Sequence, residues 1–133
     1  MRGKTRFLGV LGATAMLLTA MAGPVAANDS DVIKTGSCSG SSDWKLKVGL
    51  DDGRIDMEFE VDQNRVGKTW FVRLKDNGDV LWKGHRVTQA PSGSFEVNKR
   101  TRNRTGDDRI VAYARNVNSG EVCRGVITYT RGG

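Results

Sequence analysis

Beyond residue 42 the chain alternates. Trp44, Leu46, Val48 and Leu50 are separated by single polar or small residues, and so are Ile55, Met57, Phe59 and Val61. Apolar residues at every second position mark strands with one buried face. Asp52-Gly53 lies between the two runs, and Gly tolerates the positive φ that a two-residue hairpin turn requires. That turn sets the register. Leu50 faces Ile55, Val48 faces Met57, Leu46 faces Phe59 and Trp44 faces Val61. The apolar residues then share one face. On the other face Lys47 stands opposite Glu58 and Lys45 opposite Glu60, pairs worth roughly a few tenths of a kcal/mol each. A slip of one residue would ruin both faces.

A second hairpin follows the same rule. "TWFVRLK" and "VLWKGHRV" flank Asn77-Gly78, again a two-residue turn signal. An uninterrupted ladder from that turn puts Leu81 opposite Leu74 and His85 opposite Trp70, with Val72 between. The opposite face then carries Phe71, Arg73, Trp82 and Arg86, with Arg73 across from Trp82 and Phe71 across from Gly84. Trp70, Val72, Leu74 and Leu81 are the cleaner apolar set and are taken as the core face, which leaves His85 at the core edge. "SFEVNK", "RIVAYARN" and "EVCRGVITYT" supply further strands, with "APSG" and "VNSG" as turns. In the last pair Ile110, Ala112 and Ala114 are taken as buried and Tyr113 as outward, with Val111 and Ile127 competing. The expected fold is all-β, a single antiparallel sandwich of about seven strands over residues 43–133. Residues 28–42, polar and rich in Gly and Ser, read as a flexible lead-in.

The first 27 residues read as an address. Arg2, Lys4 and Arg6 precede an apolar run, and "GPVAA" places Val25 and Ala27 where a signal peptidase reads. Cleavage after Ala27 would leave no further apolar span and a secreted product. It would take the Lys and Arg count from 21 to 18 against 15 Asp and Glu, and the net charge from +6 to +3. So small a charge argues little about partners. Export also makes a Cys38–Cys123 disulfide the natural reading of the only two cysteines. No metal or other cofactor is expected, since His85 is the one histidine and there is no second cysteine pair.

The order Trp44, Phe59, Trp70, "IVAYARN", "GEVCRG" resembles an immunoglobulin-like or fibronectin type III-like sandwich. The resemblance implies a buried Trp70 in the third strand. The chain departs from it in lacking a cysteine in the second strand and in "IVAYARN", so the usual inter-sheet disulfide is missing. More narrowly, "CSGSSDWKLKV", "QAPSGSFEV" and "ARNVNSGEVCRG" look like a set of short secreted actinobacterial proteins without an assigned activity. That likeness covers nearly the whole mature chain and implies a fold, not a chemistry.

Three patterns invite a functional reading. Asp56, Glu58, Glu60 and Asp62 form an acidic row, and alternate residues on a strand lie roughly 6.5–7 Å apart, within reach of an inverting glycosidase pair. Such a pair needs one desolvated carboxyl, whereas two of these four already face lysines. Catalysis is therefore not expected. The segment "VNKRTRNRTGDDR" carries Lys99, Arg100, Arg102 and Arg104 and reads as a basic connection between the fifth and sixth strands. It lacks aromatics for base stacking, and secretion makes nucleic acid an unexpected partner. The third candidate is the outward set Phe71, Arg73, Trp82 and Arg86, an aromatic and guanidinium platform of the kind enriched in binding hot spots. The reading that results is a secreted, non-catalytic recognition module for an extracellular polymer, a carbohydrate or a protein. The alternative is an envelope or stress protein without a dedicated ligand. A hydrolase or an enzyme inhibitor is less favoured. Ligand and oligomeric state are not legible.

Overall fold

A computed structural model describes residues 30–130. The expected signal peptide at residues 1–27 lies outside the described residues. Eight strands follow in order: β1 (Val32–Ser37), β2 (Asp43–Asp51), β3 (Arg54–Asp62), β4 (Thr69–Asp76), β5 (Asp79–Val87), β6 (Ser94–Arg102), β7 (Asp108–Asn116) and β8 (Val122–Tyr129). They form two antiparallel sheets, β1-β2-β3-β6 (sheet A) and β5-β4-β7-β8 (sheet B). Without β1, the orders β2-β3-β6 and β5-β4-β7-β8 are those of the A-B-E and C′-C-F-G sheets of immunoglobulin-like sandwiches. Among the described residues no helix is long and apolar enough to cross a membrane.

The first hairpin has the register read from its turn. Leu50 pairs Ile55, Val48 pairs Met57, Leu46 pairs Phe59 and Trp44 pairs Val61. Asp52 and Gly53 take φ of 56° and 76°, the left-handed values a type I′ turn needs. Alternation is nearly complete: Ile55, Met57, Phe59 and Val61 are all fully buried. From sheet B, Trp70, Val72, Leu74, Ile110, Ala112 and Ala114 close over them, each with no exposed surface. Ile127 pairs directly with Ile110, so the two share the inner face rather than compete for it.

Two expectations are corrected. Residues 32–37 are not a flexible lead-in. They form an edge strand paired with β2 along its length, which brings the strand number to eight. Hydrophobic alternation could not reveal it, because β1 is mostly exposed and only Gly36 along it is half-buried. The second correction concerns the β4–β5 ladder. The Asn77-Gly78 turn forms as expected, with φ of 50° and 90°, and Lys75 pairs Val80. The register then shifts at Leu74, which pairs Trp82 instead of Leu81. Leu81 is the extra residue of a β-bulge. Every later partner moves by one, so His85 pairs Phe71 on the outer face and Trp82 turns inward beside Leu74.

Cys38 and Cys123 form a disulfide across 85 residues of chain. It ties the β1–β2 loop of sheet A to β8 of sheet B. Glu121 adds hydrogen bonds to the same loop: its carboxylate accepts from the backbone of Gly40 at 3.0 Å, the backbone of Ser42 at 2.8 Å and the Ser42 hydroxyl at 3.0 Å. Trp44 fills the space between the sheets on this side. A Cβ placed on Gly125 would lie 2.5 Å from its ring, and one on Gly36 2.7 Å from it. Bare backbone from β1 and from β8 therefore admits the indole.

Candidate functional site

The outer faces of the two sheets differ in charge. On sheet A, the face around β3 carries Asp43, Asp51, Asp56, Glu58, Glu60, Asp62 and Glu96 mixed with Lys45, Lys47, Arg54, Arg100 and Arg102. Many of these pair with one another. Lys47 lies 3.3 Å from Glu58 and Lys45 4.0 Å from Glu60, the partners read from the register. A cleft of about 480 Å³ on this sheet is lined by Asp43, Lys45, Glu60 and Asp62 among others. Glu96 stands opposite Glu60. Its carboxyl is held above the ordinary value of 4.5, first by a hydrogen bond with Glu58, then by burial and by the charges of Glu58 and Glu60, with Lys45 opposing. The acidic row is thus part of a mixed and solvated surface.

Sheet B presents the contrary surface. Its outward positions run Phe71, Arg73 and Lys75 on β4, Lys83 and His85 on β5, Arg109, Tyr113 and Arg115 on β7, and Arg124 on β8. No acidic residue stands at an outward position of its four strands. Arg73, Lys75, Lys83, Arg109, Arg115 and Arg124 have no ion pair among the described residues. Register packs the aromatics into the middle of this field. Phe71 meets the edges of His85 and Tyr113, with ring centroids 5.8 and 6.4 Å apart. The Arg73 guanidinium covers the Tyr113 ring at 4.8 Å, and Arg124 pairs with Tyr113 from the far side. Such a face offers flat apolar surface ringed by positive charge.

The residues singled out in the sequence divide among three places. Phe71 and Arg73 belong to the sheet B face. Trp82 and Arg86 do not. The bulge at Leu81 turns both toward the inner side, where Trp82 packs on the core edge over Gly84. Arg86 lies 4.5 Å and Lys99 5.1 Å from the Trp82 ring centroid, a closed cation–π arrangement at the β5–β6 edge. The basic segment is mainly strand rather than loop, since β6 extends to Arg102. Arg100 bonds Asp51 and lies 3.6 Å from Asp56. Arg102 pairs Arg54 in the ladder. Arg104 contacts Asp79 at 3.0 Å and Asp76 at 3.9 Å. Most of the charge in this segment is therefore answered within the chain.

Two residues absent from the sequence reading stand out at the end of the sandwich. Asp76 and Asp108 are both fully buried. Asp76 continues the inward series Trp70, Val72, Leu74, and Asp108 begins the inward series Ile110, Ala112, Ala114. Asn77 fixes their approach: its side chain accepts from the Arg109 backbone at 2.8 Å and donates to the Asp107 carbonyl at 3.1 Å. Burial, a hydrogen bond with the Asp108 carboxyl and the charge of Asp108 raise Asp76 from 3.8 to about 6, against the opposing charge of Arg104. That hydrogen bond exists only when one carboxyl is protonated. With both ionised, none of their oxygens has a donor. Among the described residues no three His, Cys, Asp or Glu side chains converge as metal ligands.

The fold and this surface define a disulfide-tied β-sandwich with one cationic, aromatic sheet face. No protein-family model, curated protein or solved structure matches the chain.

Proposed function

We propose that the chain is a secreted, non-catalytic recognition module that binds an anionic extracellular polymer through the outer face of sheet B. The observation that carries this reading is the segregation of charge. Arg73, Lys75, Lys83, Arg109, Arg115 and Arg124 share a surface with no acidic residue and no internal ion pair. A protein whose cations served only solubility would intersperse them with acids, as sheet A does. Like charges held on neighbouring strands repel one another, and an anionic ligand relieves that repulsion. Phe71 and Tyr113 add rigid apolar area at the centre of the patch.

The test is binding to a purified anionic wall polymer, with polyphosphate as a defined probe. Affinity is expected to fall by roughly tenfold or more between about 50 and 200 mM salt. Combined Arg73→Glu, Arg115→Glu and Arg124→Glu substitutions should abolish binding. The pair Arg100→Glu and Arg102→Glu, on sheet A, should leave it nearly unchanged. Tighter binding to single-stranded DNA than to the wall polymer would reject the choice of ligand. Absence of binding to any of these would favour an envelope protein without a dedicated ligand.

A further inference from the structure

We propose that the polymer bound by sheet B is phosphate-bearing, and that Arg73, Arg115 and Arg124, set around Tyr113, grip its phosphate groups. This inference rests on the polymer-binding reading and narrows it to one class of ligand. Register places the three arginines. Arg73 on β4 and Arg124 on β8 pair with Tyr113 from its two sides. Arg115 stands two residues along β7, in the same phase. The fourth neighbour in that phase is Val111. Three of the four positions around one tyrosine are therefore arginines. Adjacent strands lie about 4.8 Å apart and alternate residues of a strand roughly 6.5–7 Å apart, so an anion above Tyr113 is within reach of all three side chains. The lysines stand further out. Lys83 lies beyond Arg73 on the edge strand β5, and Lys75 lies two residues further along β4.

The choice of residue type carries the chemistry. A guanidinium presents a planar fork of donors that matches a carboxylate or a phosphate, whereas an ammonium is a compact point charge. Solubility alone would be served as well by lysine. The Arg73 guanidinium packs on the Tyr113 ring at 4.8 Å, which holds one fork in place. That packing accounts for Arg73 and not for the other two. Arg115 and Arg124 are exposed, and none of the three has an ion pair among the described residues. A carboxylate is flat, and its two oxygens are satisfied by one fork. A tetrahedral phosphate directs oxygens several ways and accepts from several forks at once. Three arginines about one point therefore suit a phosphate better than a carboxylate. The Tyr113 hydroxyl is a further donor in the same group. Lys75, Lys83 and Arg109 add attraction over a wider area without choosing among anions.

The experiment is calorimetric titration of the full secreted chain with polyphosphate and with polygalacturonate, matched in length and charge, in about 50 mM salt. Polyphosphate should bind about tenfold more tightly or better, since it alone engages all three forks. Combined Arg73→Lys, Arg115→Lys and Arg124→Lys substitutions keep every charge and remove every fork. They should weaken polyphosphate binding by about tenfold and leave its salt dependence unchanged. Lys75→Gln with Lys83→Gln should weaken both polymers alike and reduce the salt slope by about two. Equal wild-type affinity for the two polymers, or undiminished polyphosphate binding by the triple lysine variant, would overturn this inference and leave polymer binding by sheet B intact. Binding of neither polymer by the wild type would overturn that reading and this inference together.

Discussion

Single residues show how placement, rather than type, sets chemistry here. Glu96 is one carboxylate among many, yet a hydrogen bond with Glu58 and the facing Glu60 raise its pKa. The folded state therefore holds this proton more tightly than the unfolded chain. Its contribution to stability is complete below the ordinary value of 4.5 and is lost as pH rises through the raised value. Glu96→Gln should melt about 2–4 °C higher than wild type at pH 7, with the gap closing near pH 4. Differential scanning calorimetry at the two pH values checks this, and a gap that persisted at pH 4 would exclude titration of Glu96 as its cause. Asp76 and Asp108 carry the same lesson. Both sit in phase with apolar neighbours, so the alternation of their strands already placed them inward. A polar residue in an apolar phase is the signal that the sequence carries for both.

At the level of elements, turns were more legible than ladders. Asp52-Gly53 and Asn77-Gly78 are glycine turns whose φ values follow from local sterics, and both form as read. The ladder beyond Asn77-Gly78 did not follow, because the bulge at Leu81 depends on what the strand packs against. Trp82 gains the core edge and the bare backbone of Gly84 by turning inward. Gly84 is local to "VLWKGHRV", but the core edge that Trp82 joins is built by other strands. The cost to the reading was the platform of Phe71, Arg73, Trp82 and Arg86, which the bulge splits between two faces. Glycines also serve the opposite side of the sandwich, where Gly125 leaves room for Trp44. Gly125→Val should destabilise by about 1–3 kcal/mol, since either the ring or β8 must move. Chemical denaturation measures the loss, and a neutral result would show that Trp44 repacks freely. Gly125→Val with Trp44→Leu should recover part of it.

On the scale of the molecule, two features span both sheets. The first is the Cys38–Cys123 bond, read correctly from cysteine count and expected compartment. It closes a loop of 85 residues and, on the chain-entropy model, contributes about 4–5 kcal/mol. Cys38→Ala with Cys123→Ala should lower the unfolding free energy by about that amount in urea titration. A loss below about 1 kcal/mol would mean that the Glu121 hydrogen bonds alone hold the β1–β2 loop. The second is the division of charge between the outer faces. The net charge of the whole chain, +6, conceals it, and so does the dense basic segment at 99–104. The cations of that segment largely turn to nearby carboxylates or to Trp82. The unpaired cations come from four separate strands, each supplying one or two.

What the sequence by itself determined is local or periodic: the phases of β2, β3, β4 and β7, both tight turns, the first hairpin's register and the pairing of the only two cysteines. Each follows from backbone sterics, burial of alternate residues or simple availability. What the tertiary structure alone decided is where distant strands lie beside one another. Sheet order gathers Arg73, Lys83, Arg115 and Arg124 onto one face, packing creates the bulge that moves Trp82 inside, and the meeting of β4 with β7 buries Asp76 beside Asp108. Except within the β4–β5 hairpin, these depend on contacts between residues far apart in the chain, and even the bulge follows from what β5 packs against.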